Sequence, residues 1–137
     1  MNWKKKSRYD MAWSLNGSKP IYLQLVEEIR RRVITGDYLP GSHVPSVRDL
    51  AGEAAVNPNT MQRALTELER EGLLENQRTN GRTVTEDTEM IAQQKRNMAE
   101  TEIRECLERM QKLGISAEEM ISMIQKIEQN EQKTDEQ

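Results

Sequence analysis

The sequence predicts a mainly α-helical fold carrying one small β-hairpin. Three observations predict it. Apolar residues recur at i, i+3, i+4, i+7 in successive segments. Two of those segments are short and joined by a brief link. An Asn80-Gly81 pair, the strongest two-residue hairpin signal, follows them inside a polar stretch. At 137 residues the chain holds about one compact domain and an appendage. With 31% charged residues, 4% aromatic and no Phe, it has little apolar material for a large core, so oligomerisation is expected to add stability.

A first helix spans Ile21 to Thr35, with Tyr22, Leu25, Val26, Ile29 and Val33 as its apolar stripe. Gly36 and the following segment with Pro40-Gly41 end it. Arg30, Arg31 and Arg32 are expected to form a solvated helix end that suits the negative C-terminal dipole. Ser46, with Asp49 at capping-box spacing, starts a second helix whose stripe is Val47, Leu50, Ala51 and Ala54. The link Ala55-Val56 leads to a third, opened by Asn57 as N-cap and Pro58 at the first helical position. Met61, Ala64, Leu65 and Leu68 form its buried face. Two short amphipathic helices so joined are a helix-turn-helix candidate, and the hairpin about Asn80-Gly81 is then its wing.

The third helix carries Asn59, Thr60, Gln62 and Arg63 on the exposed side of its first two turns. These side chains donate and accept hydrogen bonds and none is acidic, as entry into the DNA major groove requires. Ser46 and Arg48, at the start of the second helix, join them as candidate DNA contacts, with Arg78, Asn80, Gly81 and Arg82 at the wing tip. Glu67, Glu69 and Glu71 crowd the far end of the third helix, where they are expected to repel phosphate and orient its N-terminus into the groove.

Charge divides accordingly: residues 1–85 carry +3 and residues 86–137 carry −6. From about Glu86 to Leu113 the chain is helical, with Gly114 as its C′ residue; Ser116 and Glu119 cap a last helix. Ile91, Met98, Leu107, Met110 and Leu113 on the former, with Met120, Ile121, Ile124 and Ile127 on the latter, are apolar faces without a lid. The alternatives are that they fold back on the winged domain or pair with the same hairpin of a second chain; the latter is expected, since it buries both stripes and sets two third helices about one DNA turn apart. The divisions expected are a flexible N-terminal arm at 1–19, a DNA-binding domain at 20–85, a dimerisation hairpin at 86–130 and a disordered tail at 131–137. The Lys4–Arg8 arm, with Trp3 and Tyr9 nearby, reads as a disordered leader.

Other chemistry finds no support in the residues. No apolar run approaches the roughly 20 residues of a membrane span, and no secretory signal is present. One cysteine, Cys106, excludes an internal disulfide, reads as core and fits the cytoplasm. His43 is the only histidine and has no partner at metal-ligand spacing. Neither a phosphate-cradling loop nor a nucleophile–base pair occurs, so neither an enzyme nor a cofactor is expected. The residues name no small-molecule effector. The alternative to a DNA-binding regulator is a protein-interaction module, its acidic tail docking a partner and its winged domain a scaffold.

The stretch PIYLQLVEEIRRRVITGDYLPGSHVPSVRDLAGEAAVNPNTMQRALTELEREGLLE resembles the winged helix-turn-helix of GntR-type bacterial transcription regulators. VNPNTMQRALTELEREG and the short tail with KLGISAEEM resemble the YtrA-type branch, whose members are small homodimers. The resemblance implies a repressor of a pseudo-palindromic operator, with targets in its own operon and neighbouring ABC-transporter genes. It implies DNA contact by Arg48 in VPSVRDLA, by Asn59, Thr60, Gln62 and Arg63, and by Gly81. The sequence departs from the pattern at Pro58, where relatives carry arginine or another polar residue, at Thr79, where glycine is common, and at Thr83, where an aromatic is common.

Overall fold

The computed structural model describes residues 13–135. Among them the order is α1 (Ile21–Ile34), α2 (Val47–Ala54), α3 (Pro58–Arg70), β1 (Leu74–Gln77), β2 (Gly81–Val84), α4 (Thr88–Lys112) and α5 (Ala117–Asp135). The chain divides into two compact units, meeting between Gln94 and Lys95. The first unit thus includes the start of α4, nine residues beyond the boundary expected at 85. Met90 and Ile91 pack against the core of the first unit, which is why the division falls inside α4.

In the first unit α1 and α2 both pack on α3. Leu25, Ile29 and Val33 of α1, Leu50 of α2, and Met61, Leu65 and Leu68 of α3 are essentially inaccessible to solvent. Burying each such side chain contributes roughly 1.5–3 kcal/mol, so this stripe-on-stripe packing holds the domain together. Leu73, Leu74 and Val84 carry the same core under the hairpin.

Helix α1 starts after Pro20 without a side-chain cap, while the other four described helix starts each follow one. Ser46 Oγ accepts from the Asp49 amide at 3.1 Å, and Asn57 Oδ1 accepts from the Asn59 amide at 2.8 Å. Ser116 Oγ does the same for Glu119 at 3.1 Å, and Asp87 Oδ1 for Met90 at 3.0 Å. Helix α2 ends in a Schellman motif: the Val56 amide donates to Ala51 O and the Ala55 amide to Gly52 O. Ala55 occupies its left-handed position at φ 56°, the one such non-glycine residue among those described. That sharp reversal brings Asn57 into place to cap α3.

The hairpin pairs Leu74 with Val84 through Gln77 with Gly81, so its loop is the three residues Arg78–Asn80 and not a two-residue Asn80-Gly81 turn. A two-residue type I′ turn needs positive φ at both positions. Here only Gly81 has it, at 75°, and the Asn80 amide closes a turn onto Gln77 O. Residues 41–44 run along the outer side of β2: Gly41 and Val44 amides donate to Val84 O and Arg82 O, and the Val84 amide donates to Ser42 O.

Residues 13–19 are fixed rather than flexible. Gln24 of α1 donates to the carbonyls of Asn16 and Lys19, and its Oε1 accepts from the Asn16 amide. Trp13 and Leu15 pack against the core. The Lys4–Arg8 arm lies outside the described residues.

Nor are the three arginines at the end of α1 alike. Only Arg31 is solvated. Arg30 makes a two-pronged ion pair with Glu71 at 2.6 and 2.7 Å. Arg32 is buried, its guanidinium 4.4 Å from the Trp13 ring centroid and its Nη1 2.8 Å from Tyr38 Oη, with Glu28 and Glu53 nearby. Burial works against the Arg32 charge, but Tyr38 and the two glutamates outweigh it and the pKa rises. Burial likewise pushes the Tyr38 phenol up, against the pull of Arg32.

In the second unit α4 ends at Gly114, whose φ is 81°, and α5 continues to Asp135. Residues 131–135 are therefore helical, not a disordered tail; Glu131, Gln132 and Lys133 are good helix formers. None of the described residues of this unit is fully buried. Cys106 is half-buried and not core. No described helix is long and apolar enough to cross a membrane.

Candidate nucleic-acid interface

The helix-turn-helix positions one set of polar side chains at the starts of α2 and α3. Because Met61, Ala64, Leu65 and Leu68 face the core, the residues between them must face outward. Asn59, Gln62 and Arg63 are exposed, and Thr60 is half-buried. Arg48 is exposed on the first turn of α2, beside Ser46, whose hydroxyl caps that helix. Among the described residues no side-chain hydrogen bond or ion pair engages Arg48, Asn59, Thr60, Gln62 or Arg63. Their donors and acceptors are available to a ligand; an exposed carboxylate, Asp49, lies beside Arg48 on the first turn of α2, and none lies on the first two turns of α3.

Pro58 shapes this end of α3 through its backbone. It occupies the first helical position, where its missing N–H costs nothing. The Asn57 side chain satisfies the Asn59 amide, so the helix starts sharply and Asn59 lies in its first turn.

Arg63 feels the charge of Glu67 and makes a ring contact. Its guanidinium sits over the ring of Tyr22 on α1, 3.6 Å from the centroid, well within cation–π range. Sequence reasoning placed Tyr22 in the apolar stripe of α1 and missed this contact. The signal was present, since tyrosine at the solvent edge of a stripe offers a ring face as well as apolar bulk.

The wing residues separate into two groups. Arg78, Asn80 and Gly81 are exposed at the tip, and among the described residues the Arg78 side chain has no partner. Arg82 points elsewhere: its Nε donates to Glu69 of α3, and its side chain is only 13% exposed. It fastens the wing to α3 and is not poised toward an external phosphate. Thr83 is buried and its Oγ1 accepts from Gln77 Nε2 at 3.2 Å. The hydroxyl thus finds a partner inside the hairpin.

The glutamates at the far end of α3 are each paired. Glu67 meets Arg70, Glu69 meets Arg82 and Glu71 meets Arg30. The Arg70 hydrogen bond holds the Glu67 carboxyl below its usual range. They are not the bare repelling charges expected from sequence. The helix is still oriented, because Asn59, Thr60, Gln62 and Arg63, its unpaired amide, hydroxyl and guanidinium groups, cluster at the N-terminal end, with only Thr66 beyond them.

The residues expected to dimerise also divide. Ile91 packs on the first unit and leaves the set. Met98, Leu107, Met110 and Met120 are half-buried, while Leu113, Ile121 and Ile124 are exposed, Leu113 to 70%. Ile103, Met123 and Ile127 are exposed too. Ile103 was absent from the expected set, although Ile103, Leu107 and Met110 keep i, i+4, i+7 spacing.

The family model for bacterial regulatory proteins of the gntR family matches residues 21–84. The chain is similar to the HTH-type transcriptional regulator YhcF of Bacillus subtilis, with 38% identity covering 78% of this chain and 88% of that protein. It is 32% identical to the HTH-type transcriptional repressor YtrA of the same organism, over 80% of this chain and 85% of that one. Among solved structures, a GntR family regulator from Listeria monocytogenes superposes with a TM-score of 0.76 at 38% identity, covering 82% and 98% of the two chains. The DNA-binding domain of AraR in complex with its operator ORX1 gives 0.50 at 27% identity, covering 53% and 93%. The chain belongs to the GntR family of bacterial regulatory proteins, and its winged helix-turn-helix is the DNA-binding domain of a transcription regulator with YtrA among its relatives.

Proposed function

We propose that the protein is a homodimeric repressor whose two α3 helices enter successive major grooves of a pseudo-palindromic operator. Asn59, Gln62 and Arg63 read base edges, and Thr60, Ser46 and Arg48 engage phosphates or nearby edges. The wing tip follows the backbone through Arg78, Asn80 and the Gly81 amide. The observation that carries this reading is the row of unpartnered polar side chains at the starts of α2 and α3, in a domain of this family.

The apolar faces of α4 and α5 support the dimer. Ile103, Leu113, Ile121, Ile124 and Ile127 are each more than 45% exposed, an arrangement a second copy would cover. A C2 pair of such units also supplies the two-fold axis that a palindromic site requires. The name of YtrA supports repression, which follows when the dimer occupies promoter DNA. Promoters of the protein's own operon and of neighbouring ABC-transporter genes are the first to probe.

Selection of duplexes from a random library, followed by affinity measurement at several salt concentrations, tests the proposal. Wild-type protein should enrich an inverted repeat and bind it with a steep salt dependence. Arg63→Ala should lose most discrimination between that duplex and a scrambled one while sedimenting as wild type. Enrichment of no sequence at all would instead favour a protein-docking module.

A further inference from the structure

Tyr22 lies on the first turn of α1, outside the candidate DNA contacts on α2, α3 and the wing, yet its ring carries Arg63. We propose that Tyr22 is the positioning residue that holds Arg63 in its base-reading pose. The proposal rests on Arg63 contacting bases, and goes further by naming what aims it.

An exposed arginine has many rotamers, and base readout demands one of them. Hydrogen bonding to a neighbouring carboxylate would fix the side chain but consume the donors needed by a base. Attraction to the ring face fixes it while consuming none of the five N–H groups. The obvious competitor is Glu67, one turn further along α3 at i+4, where ion pairs with arginine normally form. That carboxylate accepts from both Nε and Nη2 of Arg70 and acts on Arg63 only by charge, through no hydrogen bond, so the Arg63 donors stay unconsumed.

The platform is also firmly mounted. Tyr22 is half-buried, it precedes the inaccessible Leu25 and Val26 on α1, and α1 packs along α3. Ring and guanidinium therefore belong to two helices locked by one core. Arg48 and Arg78, the other exposed arginines of the interface, have no such ring contact among the described residues.

The test is fluorescence anisotropy on the duplex that wild-type protein selects from a random library, with a scrambled duplex as control. Tyr22→Phe and Tyr22→Trp keep a ring face and should bind within about twofold of wild type. Tyr22→Leu should weaken the selected duplex about fivefold, the scale of an exposed cation–π contact, and leave the scrambled one unchanged. In an Arg63→Ala background Tyr22→Leu should have no further effect. Equal loss with Tyr22→Phe and Tyr22→Leu would overturn the proposal, because the hydroxyl would then be touching DNA directly. So would wild-type binding by Tyr22→Leu, or additive losses in the double variant. Unaltered binding by Arg63→Ala alone would remove the base-contact assignment itself, a separate and recognisable failure. Thermal melts by circular dichroism check that Tyr22→Leu stays folded; should it not, the two ring-bearing variants still decide between ring and hydroxyl.

Discussion

Arginine carries different duties in this domain, and the environment of each side chain assigns them. Arg32 is buried among Trp13, Tyr38 and two glutamates, Arg30 and Arg82 are paired with Glu71 and Glu69, and Arg48, Arg63 and Arg78 make no hydrogen bond or close ion pair to a carboxylate among the described residues. Sequence alone could not sort them, since the partners lie up to 41 residues away in the chain. A measurable difference follows at the wing. Arg78→Ala should reduce the slope of log affinity against log salt by about one, as expected when one phosphate contact is lost. Arg82→Ala should weaken binding by loosening the wing while leaving that slope unchanged. Affinity measured across a salt series distinguishes the two.

At the scale of elements, local chemistry was legible wherever a cap, a stripe or a breaker acted alone. Ser46, Asn57 and Ser116 begin their helices as expected, Gly114 ends α4, and the stripes of α1, α2 and α3 meet in the core. The misses share a physical cause. The loop of the wing depends on which residue takes the positive φ, and residues 13–19 are fixed by side-chain bonds from Gln24, five to eight residues on, that no periodicity or cap announces. Ala55 is the element-level weak point. It holds the left-handed position of the turn between α2 and α3, where a side chain costs about 1–2 kcal/mol. Ala55→Gly relieves that strain but restores chain entropy, so stability should rise by roughly 0.5–1 kcal/mol. The expected result is a melting temperature higher by a few degrees, with the fold unchanged by circular dichroism.

For the whole molecule, the sequence reading placed the boundary of the DNA-binding domain at 85, whereas the first compact unit runs to Gln94. Met90 and Ile91 pack against the core of the first unit, so α4 spans both units and its exposed apolar face begins beyond them. The proposed dimer makes this face decisive. Ile124→Glu, placing a charge on an exposed isoleucine of α5, should convert the protein to monomer in sedimentation equilibrium. It should also cost far more affinity on an inverted repeat than on a single half-site. The central claim, that the start of α3 reads DNA, is tested most directly by repeating the random-duplex selection with Asn59, Gln62 and Arg63 all changed to alanine. The account predicts that wild type enriches one inverted repeat and the triple variant, folded and of unchanged oligomeric state, enriches none. Recovery of the same repeat by the triple variant would contradict it.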